Sequence, residues 1–210
     1  MPQVKIGVLV SGSGSNLQSI IDNIELGKIN GKIEVVISNR ENAYGLERAR
    51  QHGIDAVFVH SKEFANIEQF DEAIIRELKR HNVELVILAG YLKILTSKFI
   101  EEYNNKIINI HPSLIPSFCG KGYYGIKVHE AAINYGVKIS GATVHFVDEN
   151  ADTGPIILQE SVNIEYSDSA EILQKKVLKI EHKILPQAVQ YYCDGKIEII
   201  DRKVKINMEE

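Results

Sequence analysis

Through its first half the sequence alternates short apolar runs with amphipathic stretches, and this alternation constrains the fold more than any other feature. Val4–Val10 is an apolar run with a β-branched bias, followed by Ser-Gly turns and then by SNLQSIIDNI, which has helical spacing. Glu34–Ile37 and Asp55–Val59 read as further strands, with the helix YGLERARQHG between them closed by Gly53. Phe70, Ile74, Ile75 and Leu78 recur with helical period. LVILAG and KIINIH are two more buried strands, separated by a helix that begins near Thr96-Ser97. Strands this apolar need cover on both faces, and parallel neighbours need helical crossovers between them. The pattern predicts an α/β fold: a doubly wound, mainly parallel, twisted sheet with flanking helices.

The text changes at Pro112. Residues 112–136 are rich in Gly, Pro and Tyr and read as loops around a short helix. GATVHFVD and GPIILQESV follow as two strands joined by the polar DENADTG. Asp168–Asp194 is predicted as a long helix, with Asp168 and Glu171 as a capping-box-like start, a kink at Pro186 and an end at Gly195. KIEIIDRKVKI reads as a terminal pair of short strands turning at Asp201-Arg202.

At 210 residues, 44% hydrophobic and 25% charged, the chain has the composition of a globular protein. One α/β domain over residues 1–210 fits that length. A net charge of −4 offers no basic field for a polyanion, so no nucleic-acid partner is expected. No apolar stretch approaches a membrane span, and the start reads as a strand entering a loop, not as a leader. Two cysteines, Cys119 and Cys193, cannot build a disulfide framework, so a reducing cytoplasm is the expected location.

Three places suit chemistry. Ser11-Gly12-Ser13-Gly14-Ser15-Asn16 follows the first strand and opens the first helix, where backbone N–H groups and the helix dipole favour a phosphate. A dinucleotide fingerprint fits less well, because Leu17 takes the third glycine position and Ser38-Asn39-Arg40 offers no acid after the second strand. A complete P-loop fails for want of GK[ST]. A plain Gly-rich turn with Asn16 capping the helix is the bland alternative.

Asn109 and His111 lie two apart, on one face of a strand that Pro112 terminates. Open α/β sheets bind ligands at that edge. An amide donor beside a proton carrier suits a carbonyl that becomes an oxyanion. A merely structural histidine is the alternative. Asp152, in the DENADTGP loop, would raise the imidazole pKa and orient the ring if it lies near His111. Asp148 and Glu149 compete for that role. The seven histidines show no HExxH or Cys/His spacing for a metal. No GxSxG elbow exists.

SGSGSNLQSIID, LAGYLKIL, NIHPSLIPSFCG, GATVHFVDENADTGPIILQ and IEHKILPQAVQYYCDG together resemble the folate-dependent formyltransferases, and among them the phosphoribosylglycinamide formyltransferases of purine synthesis. The resemblance runs from about Lys5 to the end. It implies a Rossmann-like formyltransferase domain, with residues 1–105 as a phosphate-binding half and 106–210 as a catalytic and folate-binding half. It implies 10-formyltetrahydrofolate as co-substrate and no metal. Small molecules are the expected partners, and the expected state is a monomer or homodimer.

Carried over residue by residue, the resemblance makes Asn109, His111 and Asp152 the catalytic trio. Gly14, Ser15 and Asn16 would hold the substrate phosphate, helped by Lys179 and Glu181. Leu92, Lys93, Ile94 and Leu95 would line the folate pocket, with Asp148, Glu149, Asn150, Ala151 and Asp152 closing over the pterin beside Asn109. Two departures stand out. The Cys119–Gly125 loop is longer than in short family members, and Ile67 stands where some members place an arginine for the folate tail, leaving Lys62 or Lys93 to substitute. The same-family rival is a formyltetrahydrofolate deformylase, expected to carry a further N-terminal regulatory domain; a methionyl-tRNA formyltransferase would need a C-terminal one. Rivals of other classes are a nicotinamide oxidoreductase and a non-catalytic ligand-binding module.

Overall fold

A computed structural model describes residues 2–208. The main sheet has the strand order β3 (Asp55–Phe58), β2 (Gly31–Ser38), β1 (Val4–Val10), β4 (Leu85–Leu88), β5 (Ile107–His111), β6 (Ile139–Phe146), β7 (Ile156–Asn163), and β8 (Ile197–Ile200) and β9 (Lys203–Ile206) form a separate two-stranded sheet. The chain divides into two compact units, the first ending at Ile108 and the second beginning at Asn109.

The first unit contains β1 (Val4–Val10), α1 (Ser15–Glu25), β2 (Gly31–Ser38), α2 (Tyr44–Gln51), β3 (Asp55–Phe58), α3 (Ile67–Arg80), β4 (Leu85–Leu88) and α4 (Ser97–Glu102). Strand β1 pairs in parallel with both β2 and β4, and β2 pairs in parallel with β3. The predicted apolar strands are therefore the observed ones. Ile6, Val8, Leu9 and Val10 have no exposed surface, nor have Val35, Val36 and Ile37. The chain leaves β1 toward β2 on one side and later returns as β4 on the other. Order reverses there, and the C-terminal ends of β1 and β4 flank the switch point at which such sheets bind ligands.

Strand β5 (Ile107–His111) starts at the close of the first unit and ends in the second. The second unit continues with α5 (Ile126–Tyr135), β6 (Ile139–Phe146), β7 (Ile156–Asn163), α6 (Ala170–Cys193), β8 (Ile197–Ile200) and β9 (Lys203–Ile206). Strands β6 and β7 form an antiparallel pair covered by α6, which also packs on α5. Among the described residues no helix is long and apolar enough to cross a membrane.

The start of α6 differs from the sequence expectation. Ser169, not Asp168, is the N-cap, and its hydroxyl accepts the Ile172 N–H and donates to Glu171. Asp168 instead accepts the Glu165 N–H and pairs with Lys176. Two adjacent capping residues compete for one position, and the aspartate is taken by the preceding turn. Pro186 lies inside α6, which is unbroken there. Ser169→Ala should cost about 1 kcal/mol, the usual value of a lost cap, measured as a lower denaturation midpoint at unchanged m-value.

Candidate functional site

In the first unit the loop after β1 is built from close backbone approaches. Gly14 is the N-cap of α1 with φ 68°, and a Cβ there would stand 2.6 Å from the Gly45 Cα. Only glycine meets both conditions. The Gly45 N–H donates to the Gly12 carbonyl at 3.0 Å, and Arg48 Nε donates to the Ser13 carbonyl at 2.9 Å. Ser15 is half-buried and Asn16 buried, as the first two residues of α1. Asn16 is thus inside the helix, and the capping role that the plain-turn reading gave it belongs to Gly14. The α1 N-terminus, with no acidic residue in its first turn, keeps its positive end for an anion.

Ser11 ties this loop to its neighbours. Its hydroxyl donates to Asn39 Oδ1 at 2.6 Å and accepts the Leu92 N–H at 3.0 Å, while its own N–H donates to the Gly90 carbonyl at 3.1 Å. The segment after β4 is held at its other end by Asp71, whose Oδ2 accepts the Thr96 N–H at 2.7 Å. Of the four predicted folate-lining residues, Leu92 and Ile94 are exposed, at 46% and 65%. Leu95 is buried, and Lys93 places its ammonium 5.0 Å from the centre of the Phe70 ring. Leu92 and Ile94 are thus exposed aliphatic side chains on a segment anchored at both ends. Ile67 opens α3 at 37% exposure.

In the second unit the end of β5 brings His111 to Asp152 and Asn109 to His145. The His111 Nδ1 lies 3.4 Å from Asp152 Oδ2, and its Nε2 lies 2.9 Å from the Phe118 carbonyl. Asp152 is held by the Gly120 N–H at 2.8 Å and has φ 57°, a left-handed conformation that Asp and Asn tolerate better than most residues. Its loop is closed by Gly154, where a Cβ would meet the Phe146 carbonyl at 1.9 Å. Asp148 turns back on the same loop, accepting from Thr153 Oγ1 and the Asn150 N–H. Glu149 and Asn150 are exposed and Ala151 half-buried. Of the three candidate acids, Asp152 is the one paired with His111.

His145, on β6, completes the arrangement. Its Nδ1 lies 2.7 Å from the Phe146 carbonyl, which can only accept, so that nitrogen carries the proton. With that proton on Nδ1, Nε2 is the nitrogen that accepts the Asn109 Nδ2–H, 3.1 Å away. Asp152 Oδ1 is 3.7 Å from the same nitrogen, beyond hydrogen-bond range. The sequence puts His145 within the strand GATVHFVD, where it could line the same crevice, but gives no sign of its partner.

Electrostatics correct one expectation. Burial pushes the His111 imidazole down, and this outweighs the upward pull of Asp152 and the Phe118 carbonyl, so its pKa lies below the ordinary histidine value instead of above it. Burial pushes the Asp152 carboxyl up, but His145, His111 and the Gly120 N–H outweigh it and hold the group below the usual carboxylate value. Near neutrality the pair is a carboxylate beside a mainly neutral imidazole. The 2.9 Å contact with a carbonyl requires a proton on His111 Nε2, leaving Nδ1 to take up a second one beside the carboxylate. His129, buried on α5, is pushed down to about 4 by burial and then by His111.

The remaining sequence candidates lie on α6. Lys179 is exposed and Glu181 buried. Two residues apart on a helix, they do not share a face. Cys119 is half-buried with its thiol pushed up by burial and then by Asp152, so it is a weak nucleophile.

The sequence profile of the formyl transferase family matches residues 4–189. The chain belongs to the formyl transferase family. The phosphoribosylglycinamide formyltransferase of Haemophilus influenzae is 43% identical over 197 residues, covering 94% of this chain and 91% of that one. Among solved structures, glycinamide ribonucleotide transformylase 1 from Symbiobacterium toebii superposes with a TM-score of 0.93 at 42% identity, over 97% of this chain and 94% of that one. A formyltetrahydrofolate deformylase from Pseudomonas syringae superposes with a TM-score of 0.87 at 27% identity, over 97% of this chain and 66% of that one. The chain spans only 14% to 19% of the length of the trifunctional purine biosynthetic proteins it also matches. Membership of this family accounts for the Rossmann-like sheet, with its antiparallel β7 and the long C-terminal helix.

Proposed function

We propose that the protein transfers the formyl group of 10-formyltetrahydrofolate to the amino group of 5-phosphoribosylglycinamide, a step of de novo purine biosynthesis. The observation that carries this reading is the Asn109–His145 and His111–Asp152 pairing at the end of β5. Two oriented pairs put an amide donor and a proton carrier where β5 ends. In the reaction the amine nitrogen bonds the formyl carbon, that carbon's bond to folate N10 breaks, and the amine proton passes to N10. Asn109 has a second Nδ2–H for the oxygen on which charge develops. His111 takes up and returns a proton at Nδ1, with Asp152 stabilising the charged ring.

The reading assigns Gly14, Ser15, Asn16 and Glu181 to the phosphoribosylglycinamide, and drops Lys179, which stands on a different face of α6 from Glu181. It assigns Leu92–Leu95 and the 148–152 loop to the folate. We place the enzyme in the cytoplasm, as a monomer or homodimer. The deformylase reading is less favoured because the named deformylase is the more distant relative, at 27% identity against 43%. Incubation with 10-formyltetrahydrofolate should consume it only when phosphoribosylglycinamide is present, followed by folate absorbance. Consumption at the same rate without the amine would replace transfer by hydrolysis.

A further inference from the structure

Phe118 precedes the long 119–125 loop and has φ 50°, a region that a bulky aromatic residue rarely occupies. In that conformation its carbonyl meets His111 Nε2 at 2.9 Å. Its ring stands edge-on to two tyrosines. The Tyr123 ring centre is 6.3 Å away at 66°, and that of Tyr135 is 6.0 Å away at 74°. Both angles belong to the favourable edge-to-face arrangement. Tyr123 comes from a turn closed by its N–H on the Gly120 carbonyl, and Tyr135 from the last position of α5. A non-glycine residue in the left-handed region persists only where its surroundings hold it. Here the ring contacts hold one end of the residue while the carbonyl engages the histidine at the other.

We propose that Phe118 is a positioning residue for His111: Tyr123 and Tyr135 clamp its ring, and its carbonyl keeps the imidazole proton on Nε2. A neutral imidazole has one proton and two positions for it. With an acceptor fixed at Nε2, the proton stays there and Nδ1 is left facing Asp152. Without that acceptor the proton moves to Nδ1, donates to the carboxylate, and the nitrogen that should take up a proton is already occupied. The groups facing His111 are Asp152, the Phe118 carbonyl, His145 from β6 and His129 from α5. The clamp acts on the carbonyl through the Phe118 ring, whereas Asp152 is held by the backbone N–H of Gly120 and the two histidines stand on β6 and α5. The kinetic half of the test rests on the formyl-transfer reading, and the spectroscopic half does not.

Both tyrosines are exposed, at 38% and 80%, so Tyr123→Ala with Tyr135→Ala leaves the core intact. Nitrogen-15 spectra of the His111 ring should show the proton on Nε2 in the parent and a population with it on Nδ1 in the double alanine variant. The imidazole should also titrate at lower pH, because an acceptor for its charged form is lost. For formyl transfer kcat should fall, by up to about 10²-fold, the scale of a misplaced catalytic group, with both KM values little changed. Tyr123→Phe with Tyr135→Phe keeps the rings and should behave as the parent in every respect. An unchanged His111 ring spectrum in the alanine variant overturns the proposal, and so does an equal loss in the phenylalanine variant. A shifted spectrum in a protein that shows no formyl transfer at all, parent included, sustains the clamp and removes the functional reading.

Discussion

Asp152→Asn should lower kcat for formyl transfer by about 10²-fold or more, the scale of a positioned acid–base group, while leaving both KM values nearly unchanged. The substitution is gentle in every respect but charge. Asparagine keeps an oxygen for the Gly120 N–H, now 2.8 Å from the carboxylate, and it tolerates the φ of 57° as aspartate does. What disappears is the negative charge 3.4 Å from His111 Nδ1. Burial already holds that imidazole below its ordinary value, and the carboxylate is the largest force opposing burial. Its removal therefore drives the pKa further down. At any given pH a smaller fraction of His111 carries the second proton, and the limb of the kcat profile that reports it moves to lower pH. Because the charge on His111 matters most in the transition state, the loss appears in kcat and not in binding. His111→Ala combined with Asp152→Asn should be hardly slower than His111→Ala alone, since the aspartate acts through the histidine. Additive losses would give Asp152 an independent role, and a near-parental kcat would dismiss the trio.

The residues that made the fold legible are those whose neighbours are set by local pattern. Ile6–Val10 and Leu85–Leu88 are apolar on both faces, and Ile107–Ile110 is so but for Asn109, and that pattern demands a covered parallel sheet. Asn109 and His111 were readable as a pair because a strand repeats every two residues. Asp152 was not, since nothing local to DENADTGP says which distant side chain it meets. Its assignment came from resemblance, and the 3.4 Å contact supplies the missing geometry. The upward pull of Asp152 on His111 is as expected from the sequence, but the net downward shift is not legible there, for a related reason. A nearby carboxylate can be guessed from sequence, but the burial that outweighs it is a property of the assembled unit. The Phe118 carbonyl lay beyond any sequence reading, because a backbone group carries no residue signature and its direction depends on one unusual φ. Ser11 was read only as part of a glycine-serine loop, and the three contacts that tie Asn39, Gly90 and Leu92 together at it are likewise tertiary.

The loop after β1 yields the other large effect. Ser15→Ala should raise KM for phosphoribosylglycinamide by about 10- to 100-fold, the cost of one lost hydrogen bond to a charged group, and leave KM for the folate unchanged. The hydroxyl belongs to the first residue of α1, at the positive end of the helix, where its loss removes a donor without moving the backbone. Gly14→Ala should do more. An alanine at φ 68° costs about 1–2 kcal/mol in the left-handed region, and its Cβ would fall 2.6 Å from the Gly45 Cα. Gly45 cannot retreat, because its N–H is bonded to the Gly12 carbonyl at 3.0 Å and Val10 crowds its other side. The strain must move the loop itself, and with it the row of N–H groups that would meet the phosphate. The variant should therefore unfold at lower denaturant and show a larger rise in KM for the phosphorylated substrate than Ser15→Ala, at a folate KM close to the parent's. Steady-state kinetics with each substrate varied in turn separates the two. Equal weakening of both substrates in Ser15→Ala would mean that the α1 N-terminus does not hold the phosphate.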